Sequence, residues 1–225
     1  MADDWDLETP QTSEELYLSY GDEVSEFDTR PAFTGDVYKL ATGRIVALVQ
    51  HPCAMRRGVS LASKLLACEV KVNRGGMPSD WSTGHFKRMF LSDLAGTSYF
   101  VDFDEFDAIT RAELEAATRI AILSSRGVNL LVQRWLHHNS RVVVPTITIN
   151  VQTSGPFEEA DLIQEACEDL IAAGTAINDA SAKVDEWLGE SAGDSATSHR
   201  DMLADPQQRS VVRSSLRRQV RAWIS

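Results

Sequence analysis

Residues 35–50 read GDVYKLATGRIVALVQ, two strand patterns joined by a turn. Polar and apolar residues alternate over positions 36–40, which is typical of a strand with one buried face. Ala41, Thr42 and Gly43 have turn chemistry. The apolar, β-branched run at 44–50 indicates a strand in the middle of a sheet. We therefore expect the first half of the chain to be built around a sheet.

Further strand patterns, separated by glycine-containing turns, lie at residues 65–72, 86–91 and 98–103. Several short strands of this kind predict a small β-barrel or half-barrel. Thr110 and Glu113 form a capping box before an apolar stripe that reaches Leu123, which predicts a helix, and a second helical pattern covers 128–138. Residues 141–151 return to β character, with Pro145 placing them at a sheet edge or a bulge. The predicted fold class is α+β, with a small β-barrel core closed by helices and followed by a C-terminal helical hairpin.

The last third of the chain is helical in pattern. Pro156 follows Gly155 and is expected to open a helix, because proline is favoured at the first helical position. Apolar or small residues then recur in steps of three and four from Ile163 to Trp187, a heptad seam. Residues 158–190 are rich in acids and the final helix is rich in arginines, so the two are expected to pair as an antiparallel hairpin. The predicted assembly interface consists of Ile163, Leu170, Ile177, Val184, Leu216 and Trp223.

This seam leads us to expect a homodimer, or a protein partner bound through the C-terminal helices. The alternative is one long amphipathic helix lying on its own core.

The net charge of −11 is concentrated at the N-terminus. Residues 1–29 hold ten acidic side chains and no Lys or Arg. We therefore expect residues 1–30 to form a mostly disordered acidic arm, 31–152 a barrel-like core domain and 153–225 a C-terminal helical arm. The arm is interpreted as a solvated tail, with mimicry of nucleic acid or shielding of a basic groove as the alternative.

Composition points to the cytoplasm. No apolar run approaches the roughly 18 residues that cross a bilayer, so no membrane partner is expected. The acidic N-terminus lacks the basic and apolar regions of a signal peptide. The chain has three cysteines, Cys53, Cys68 and Cys167. An odd and small number of cysteines does not indicate a disulfide framework, so reduced thiols are the simpler interpretation.

The candidate reactive segment is residues 50–58, QHPCAMRRG, where the best strand ends. Cys53 is the candidate thiolate nucleophile and His51 the candidate base. Arg56 would lower the thiol pKa, and Arg56 with Arg57 would bind an anion or nucleic acid. The alternative is a tight proline turn with a half-buried cysteine and two surface arginines.

No metal or cofactor is expected. The spacing of His51, Cys53, Cys68 and His85 matches no structural zinc pattern. The acidic cluster at 102–107 lacks the glycine of a calcium loop. Walker, GxGxxG and HExxH motifs are absent, which argues against P-loop nucleotide binding, dinucleotide binding and zincin proteolysis.

Residues 34–145 resemble the PemK/MazF toxin family through TGDVY and the following RIVALVQHPCAMR. The family has small SH3-like barrels that begin with a Gly-Asp-Ile/Val strand. The resemblance implies a toxin or phage-defence setting and RNA cleavage by an Arg in a Gly-rich loop followed by Arg-Pro. Here Arg30-Pro31 precedes Gly35-Asp36, so no catalytic residue is transferred.

Two functions follow from these patterns. The first is an intracellular binding or regulatory protein with a barrel docking module and a helical assembly arm, with nucleic acid open as a partner. The second is a small nuclease-like or thiol-dependent enzyme centred on residues 50–58.

Overall fold

The structure is a computed structural model that describes residues 6–75, 87–94, 96–193 and 196–225, without the side chains of Ser92 and Asp93. Within these ranges the strands are β1 (Tyr17–Tyr20), β2 (Val37–Lys39), β3 (Ile45–Leu48), β4 (Arg56–Arg57), β5 (Ser60–Leu61), β6 (Lys64–Val72), β7 (Arg88–Leu94), β8 (Thr97–Thr110) and β9 (Thr118–Leu123). The α-helices are α1 (Pro52–Met55), α2 (Arg111–Glu115), α3 (Ser125–Ser140), α4 (Thr146–Ala172), α5 (Ile177–Gly189), α6 (His199–Met202) and α7 (Arg209–Ile224). Two 3₁₀ helices, Glu14–Leu16 and Gly21–Phe27, flank β1.

Seven strands form one antiparallel sheet in the order β1-β9-β2-β3-β6-β8-β7. The sheet curls into a half-barrel and does not close, which confirms the half-barrel alternative and corrects the closed barrel core of the predicted fold class. The predicted strands at 36–40, 44–50 and 65–72 correspond to β2, β3 and β6, and the predicted strand at 98–103 is the first part of the longer β8. The strand predicted at 86–91 overlaps β7, although its first residue lies outside the described part of the chain.

Both faces of the central strand β3 are buried, which explains its continuous apolar run. Ala47 and Val49 belong to a core shared with α3 and α4. Val46 and Leu48 point to the opposite face, into a second core with Met55. Successive strand residues face opposite sides, so a strand between two cores needs apolar residues at every position.

Residues 6–30, the described part of the predicted disordered arm, are folded. β1 pairs with β9, and Leu7, Leu16 and Val24 are buried. The carboxylate of Glu8 accepts hydrogen bonds from the backbone N–H and the hydroxyl of Thr146, each 2.8 Å long. A few buried apolar residues are enough to dock this segment on the core. Its acidic composition therefore wrongly indicated disorder.

The capping box of Thr110 and Glu113 is present, but the helix that it starts ends at Glu115. The predicted continuation to Leu123 is wrong, because Thr118–Leu123 is strand β9, which lies between β1 and β2 in the sheet and pairs with both. Ile120 and Ile122 are β-branched and suit a strand. Sheet pairing here overrides the local helical spacing.

The region that joins the sheet to the C-terminal helices also differs from the prediction. Residues 141–151 are not a strand. Arg141, with φ 60°, ends α3, and α4 begins after Pro145 and runs across the boundary predicted at 152 and 153. Pro156 lies inside α4 instead of opening a helix. Proline is tolerated there at the cost of one backbone hydrogen bond.

The C-terminal helices form a unit of three long helices, and the predicted two-helix hairpin is corrected accordingly. The heptad seam breaks at Gly174, whose φ of 96° lets the chain turn back from α4 into α5. Arg209 binds Ser154, Arg213 binds Glu158, and the contacts advance together along both helices. α7 therefore runs parallel to α4, in contrast to the predicted antiparallel pairing. The expected pairing of basic and acidic faces is present in the ion pairs of Arg213 with Glu158 and Glu165 and of Arg217 with Glu165.

In the described part of the chain, no helix has the length and apolar character needed to cross a membrane.

Candidate functional site

The segment after β3 turns sharply because His51 caps the short helix α1. The Nδ1 atom of His51 accepts a hydrogen bond of 3.3 Å from the backbone N–H of Cys53. Pro52 occupies the first helical position, where no N–H is required. This arrangement leaves Cys53 exposed and His51 half-buried.

Arg56 is buried, with 2% of its side chain exposed, although either interpretation of residues 50–58 expects it at the surface. Its guanidinium donates to the carbonyl oxygens of Gly58, at 2.7 Å, and Pro156, at 3.2 Å, and forms an ion pair with Glu159. Burial lowers the pKa of Arg56, while Glu159 acts in the opposite direction. Glu159 also accepts a hydrogen bond of 2.9 Å from Arg200. The guanidinium predicted to bind an anion is therefore already neutralised within the chain.

Arg57 is exposed and borders a cleft of about 220 Å³. The cleft is lined by Pro52, Cys53, Arg56, Arg57, Gly58, Pro156, Glu159 and Arg200. Cys53 and Arg57 thus share a surface, whereas Arg56 lies beneath it and His51 faces a different cavity.

That second cavity lies between the end of β3 and the helices α3 and α4, with a volume of about 570 Å³. It is lined by Val49, Gln50, His51, Leu66, Val132, Trp135, Leu136, Val144, Thr148, Ile149, Gln152 and Thr153. None of these residues is Asp, Glu, Lys or Arg, and most are apolar. We call it the apolar cavity.

Gln50 lines the apolar cavity at the end of β3. The backbone of Val49 still pairs with Leu66, but the next bond is made by a side chain: Gln50 Oε1 accepts from the N–H of Leu66 at 3.0 Å. Its Nε2 donates to the carbonyl oxygen of Ala54 at 2.9 Å. A side-chain amide here replaces a ladder bond, so β3 turns away from β6.

His51 is the titratable group of the apolar cavity. Burial lowers its pKa, which favours the neutral ring near pH 7. Because Nδ1 accepts the N–H of Cys53, the neutral ring carries its proton on Nε2. The cavity is therefore lined by one uncharged imidazole with a defined tautomer.

The mouth of the apolar cavity has exposed apolar residues beside it. Leu136, which lines the cavity, is 38% exposed. Ile147 and Val151 are 71% and 67% exposed and lie on one face of α4, next to the lining residues Thr148 and Gln152. A ligand or partner at this mouth would cover them.

The acidic cluster singled out in the sequence is paired with lysines. Asp102 pairs with Lys71 at 3.0 Å, and Asp104 with Lys87 at 2.7 Å. Among the described residues, no group of three or more His, Cys, Asp or Glu side chains is placed to hold a metal ion. Burial raises the pKa of Cys68 to about 12. His85 lies outside the described residues.

Four of the six predicted assembly residues are buried within the chain's own helical unit: Ile163, Leu170, Val184 and Leu216. Ile177 is 46% exposed. Trp223 is half-buried, with Lys183 Nζ 5.1 Å from its ring centroid.

His51 is singled out by the sequence as a candidate base, whereas the other residues of the apolar cavity are not individually recognisable from it. One signal was present: α3 carries more apolar residues than a single buried face requires. Val128 and Leu131 fill the core, whereas Val132 and Leu136, four residues apart, line the cavity.

A scan against protein-family models found no match, and a search of curated proteins found none.

Proposed function

We propose that this chain is a binding protein of regulatory type whose ligand site is the apolar cavity. The observation that carries the proposal is a cavity of about 570 Å³ whose lining holds no carboxylate, ammonium or guanidinium group. Small-molecule sites usually measure about 300–1,000 Å³ and combine an apolar lining with a few polar groups.

The arrangement of residues 50–58 favours binding over catalysis. A base should reach the proton that it removes, and His51 Nδ1 is engaged by the backbone of Cys53. Arg56, proposed to activate the thiol, is held by Glu159. These contacts stabilise the loop beside the cavity.

A regulatory role is supported by the continuity of α4. Its first half lines the apolar cavity through Thr148 and Ile149, and its second half packs into the three-helix unit through Ile163 and Leu170. A ligand that shifts α4 would act directly on the helical unit. We propose the unit as the surface for a protein partner or a second copy, with Ile177 as an exposed contact.

The binding test uses N-phenylnaphthylamine, an uncharged dye whose fluorescence rises in apolar sites. Gln152→Trp places a bulky ring in the cavity wall and should weaken dye binding at least about tenfold, because an added side chain in a confined space excludes a ligand. Ile171→Trp is the control, since Ile171 is an exposed apolar residue near the other end of α4 and does not line the cavity. Equal affinity for the two variants would reject the cavity as the site.

The second candidate is the nuclease-like or thiol-dependent enzyme implied by the resemblance to PemK/MazF toxins. It is supported by one observation: Cys53 and Arg57 both line the open cleft of about 220 Å³. Labelled RNA and DNA incubated with the wild type, Cys53→Ala and Arg57→Ala test it. Cleavage by the wild type that disappears in both variants would establish this candidate, and intact substrates in every sample would reject it.

A further inference from the structure

The apolar cavity is lined by two half-buried side chains with an uncommitted N–H, His51 and Trp135. Gln50 uses both ends of its amide on Leu66 and Ala54. Thr153 donates its hydroxyl to Asn129 at 2.7 Å.

The remaining polar lining residues, Thr148 and Gln152, are exposed and face water. Among the described residues, His51 Nε2 has no hydrogen-bond partner. In the described part of the chain the indole N–H of Trp135 likewise has no acceptor, so two donors remain for a bound molecule. The Nε2–H of His51 is the one whose tautomer the fold fixes, through the N–H of Cys53.

We infer that the apolar cavity takes a neutral, mainly apolar small molecule with one carbonyl-type acceptor, which receives a hydrogen bond from His51 Nε2–H. This inference rests on the proposed function. A carboxylate or ammonium group would have no opposite charge in the lining to offset its desolvation. A carbonyl oxygen needs a single donor, and the tautomer fixed by Cys53 supplies it.

The test compares acetylnaphthalene with ethylnaphthalene, which have similar shape and differ in one carbonyl acceptor. Their dissociation constants are measured by displacement of N-phenylnaphthylamine from the wild type, His51→Phe and His51→Asn. Phenylalanine keeps a ring without a donor, and asparagine keeps the capping acceptor for the Cys53 N–H without the ring. Thermal melting checks that both variants are folded.

We expect the ratio of acetylnaphthalene to ethylnaphthalene affinity to be about fivefold higher in the wild type than in either variant, the size of one ordinary hydrogen bond. Naphthoate, which carries a charge, should bind the wild type at least about tenfold more weakly than acetylnaphthalene. An unchanged ratio in all three proteins, or preferred binding of naphthoate, would overturn the inference and leave the proposed function in place. If none of the compounds, including the dye, binds the wild type, the proposed function fails together with the inference.

Discussion

Arg56 and Glu159 form a buried ion pair, Nη1 to Oε1 3.4 Å, with 2% and 10% of their side chains exposed. The pair joins the loop beside the apolar cavity to α4, the helix that forms the opposite wall. It is therefore a structural link between the half-barrel and the helical unit. Residues that the sequence presents as candidates for catalysis instead hold two parts of the fold together.

Removal of Glu159 should destabilise the protein strongly. Glu159→Ala leaves Arg56 charged and buried without a counter-ion, and the expected loss is about 3 kcal/mol in the free energy of unfolding. Glu165→Ala on the same helix is the control. Glu165 pairs with Arg213 and Arg217 at a partly exposed position and should cost about 1 kcal/mol or less. Urea unfolding measures both, and equal losses would contradict the structural link.

Glu8 should stabilise the start of α4. Pro145 precedes that helix and offers no side-chain cap, so the carboxylate of Glu8 binds the first N–H, that of Thr146. Glu8→Ala is expected to cost about 1–2 kcal/mol, like the loss of a helix cap. Glu23→Ala, an exposed acid of the same segment, should be close to neutral. Thermal melting distinguishes the two, and a neutral Glu8→Ala would indicate that the segment only solvates.

The same contact predicts a dependence on pH. Partial burial acts to raise the pKa of Glu8, but hydrogen bonds from Thr146 and the pairing with Arg126 outweigh it and hold the pKa below its ordinary value of 4.5. Its stabilisation is therefore complete above the ordinary value and is lost as the pH falls through the lower, folded-state pKa. The difference in melting temperature between wild type and Glu8→Gln should shrink in acid. A difference that grows on acidification would contradict this sign.

Gly58 should resist substitution. Its φ is 60°, and an added Cβ would lie 1.8 Å from Oδ1 of Asp185. Gly58→Ala is expected to cost about 2–3 kcal/mol, because backbone strain and overpacking both act. Gly43→Ala is the matched control, since Gly43 has φ 86° but open space around it, and only strain of about 1 kcal/mol applies. Similar losses for both would show that α5 does not pack against this loop.

Leu170 and Ile177 belong to one heptad pattern but should behave differently. Leu170 is 1% exposed and Leu170→Ala should cost about 3 kcal/mol. Ile177 is 46% exposed, and Ile177→Ala should cost about 1 kcal/mol or less. If the chain self-associates through this surface, Ile177→Asp should lower the mass measured by light scattering while the helical circular dichroism signal stays unchanged. A wild type that is already monomeric at micromolar concentration would remove the dimer proposal.

Local sequence predicted the strands in which the order of polar and apolar residues matches the buried faces. In β3 this order is a continuous apolar run. Both faces of β3 are buried, so its apolar run was unambiguous. The segment 118–123 was predicted as helix because its small and apolar residues also fit helical spacing, and only pairing with β1 and β2 decides otherwise. The seam at 163–187 was read as one helix because a heptad count does not register the change of direction at Gly174.

The candidate site was harder to predict because it is assembled from distant parts of the chain. Gln50, Trp135 and Gln152 come together only through the fold. His51 could be recognised from its position after a strong strand. The role of Arg56 could not, because its partner Glu159 is about a hundred residues away and is brought near by the course of α4.

Amide NMR spectra of the isotope-labelled chain, recorded during titration with N-phenylnaphthylamine, test the apolar cavity most directly. We predict that the largest shifts occur at Val49, the indole N–H of Trp135 and Thr148, which line the cavity. Signals of Cys53 and Arg57 in the neighbouring cleft should change little. Shifts confined to the cleft, or spread evenly over the surface, would contradict the account.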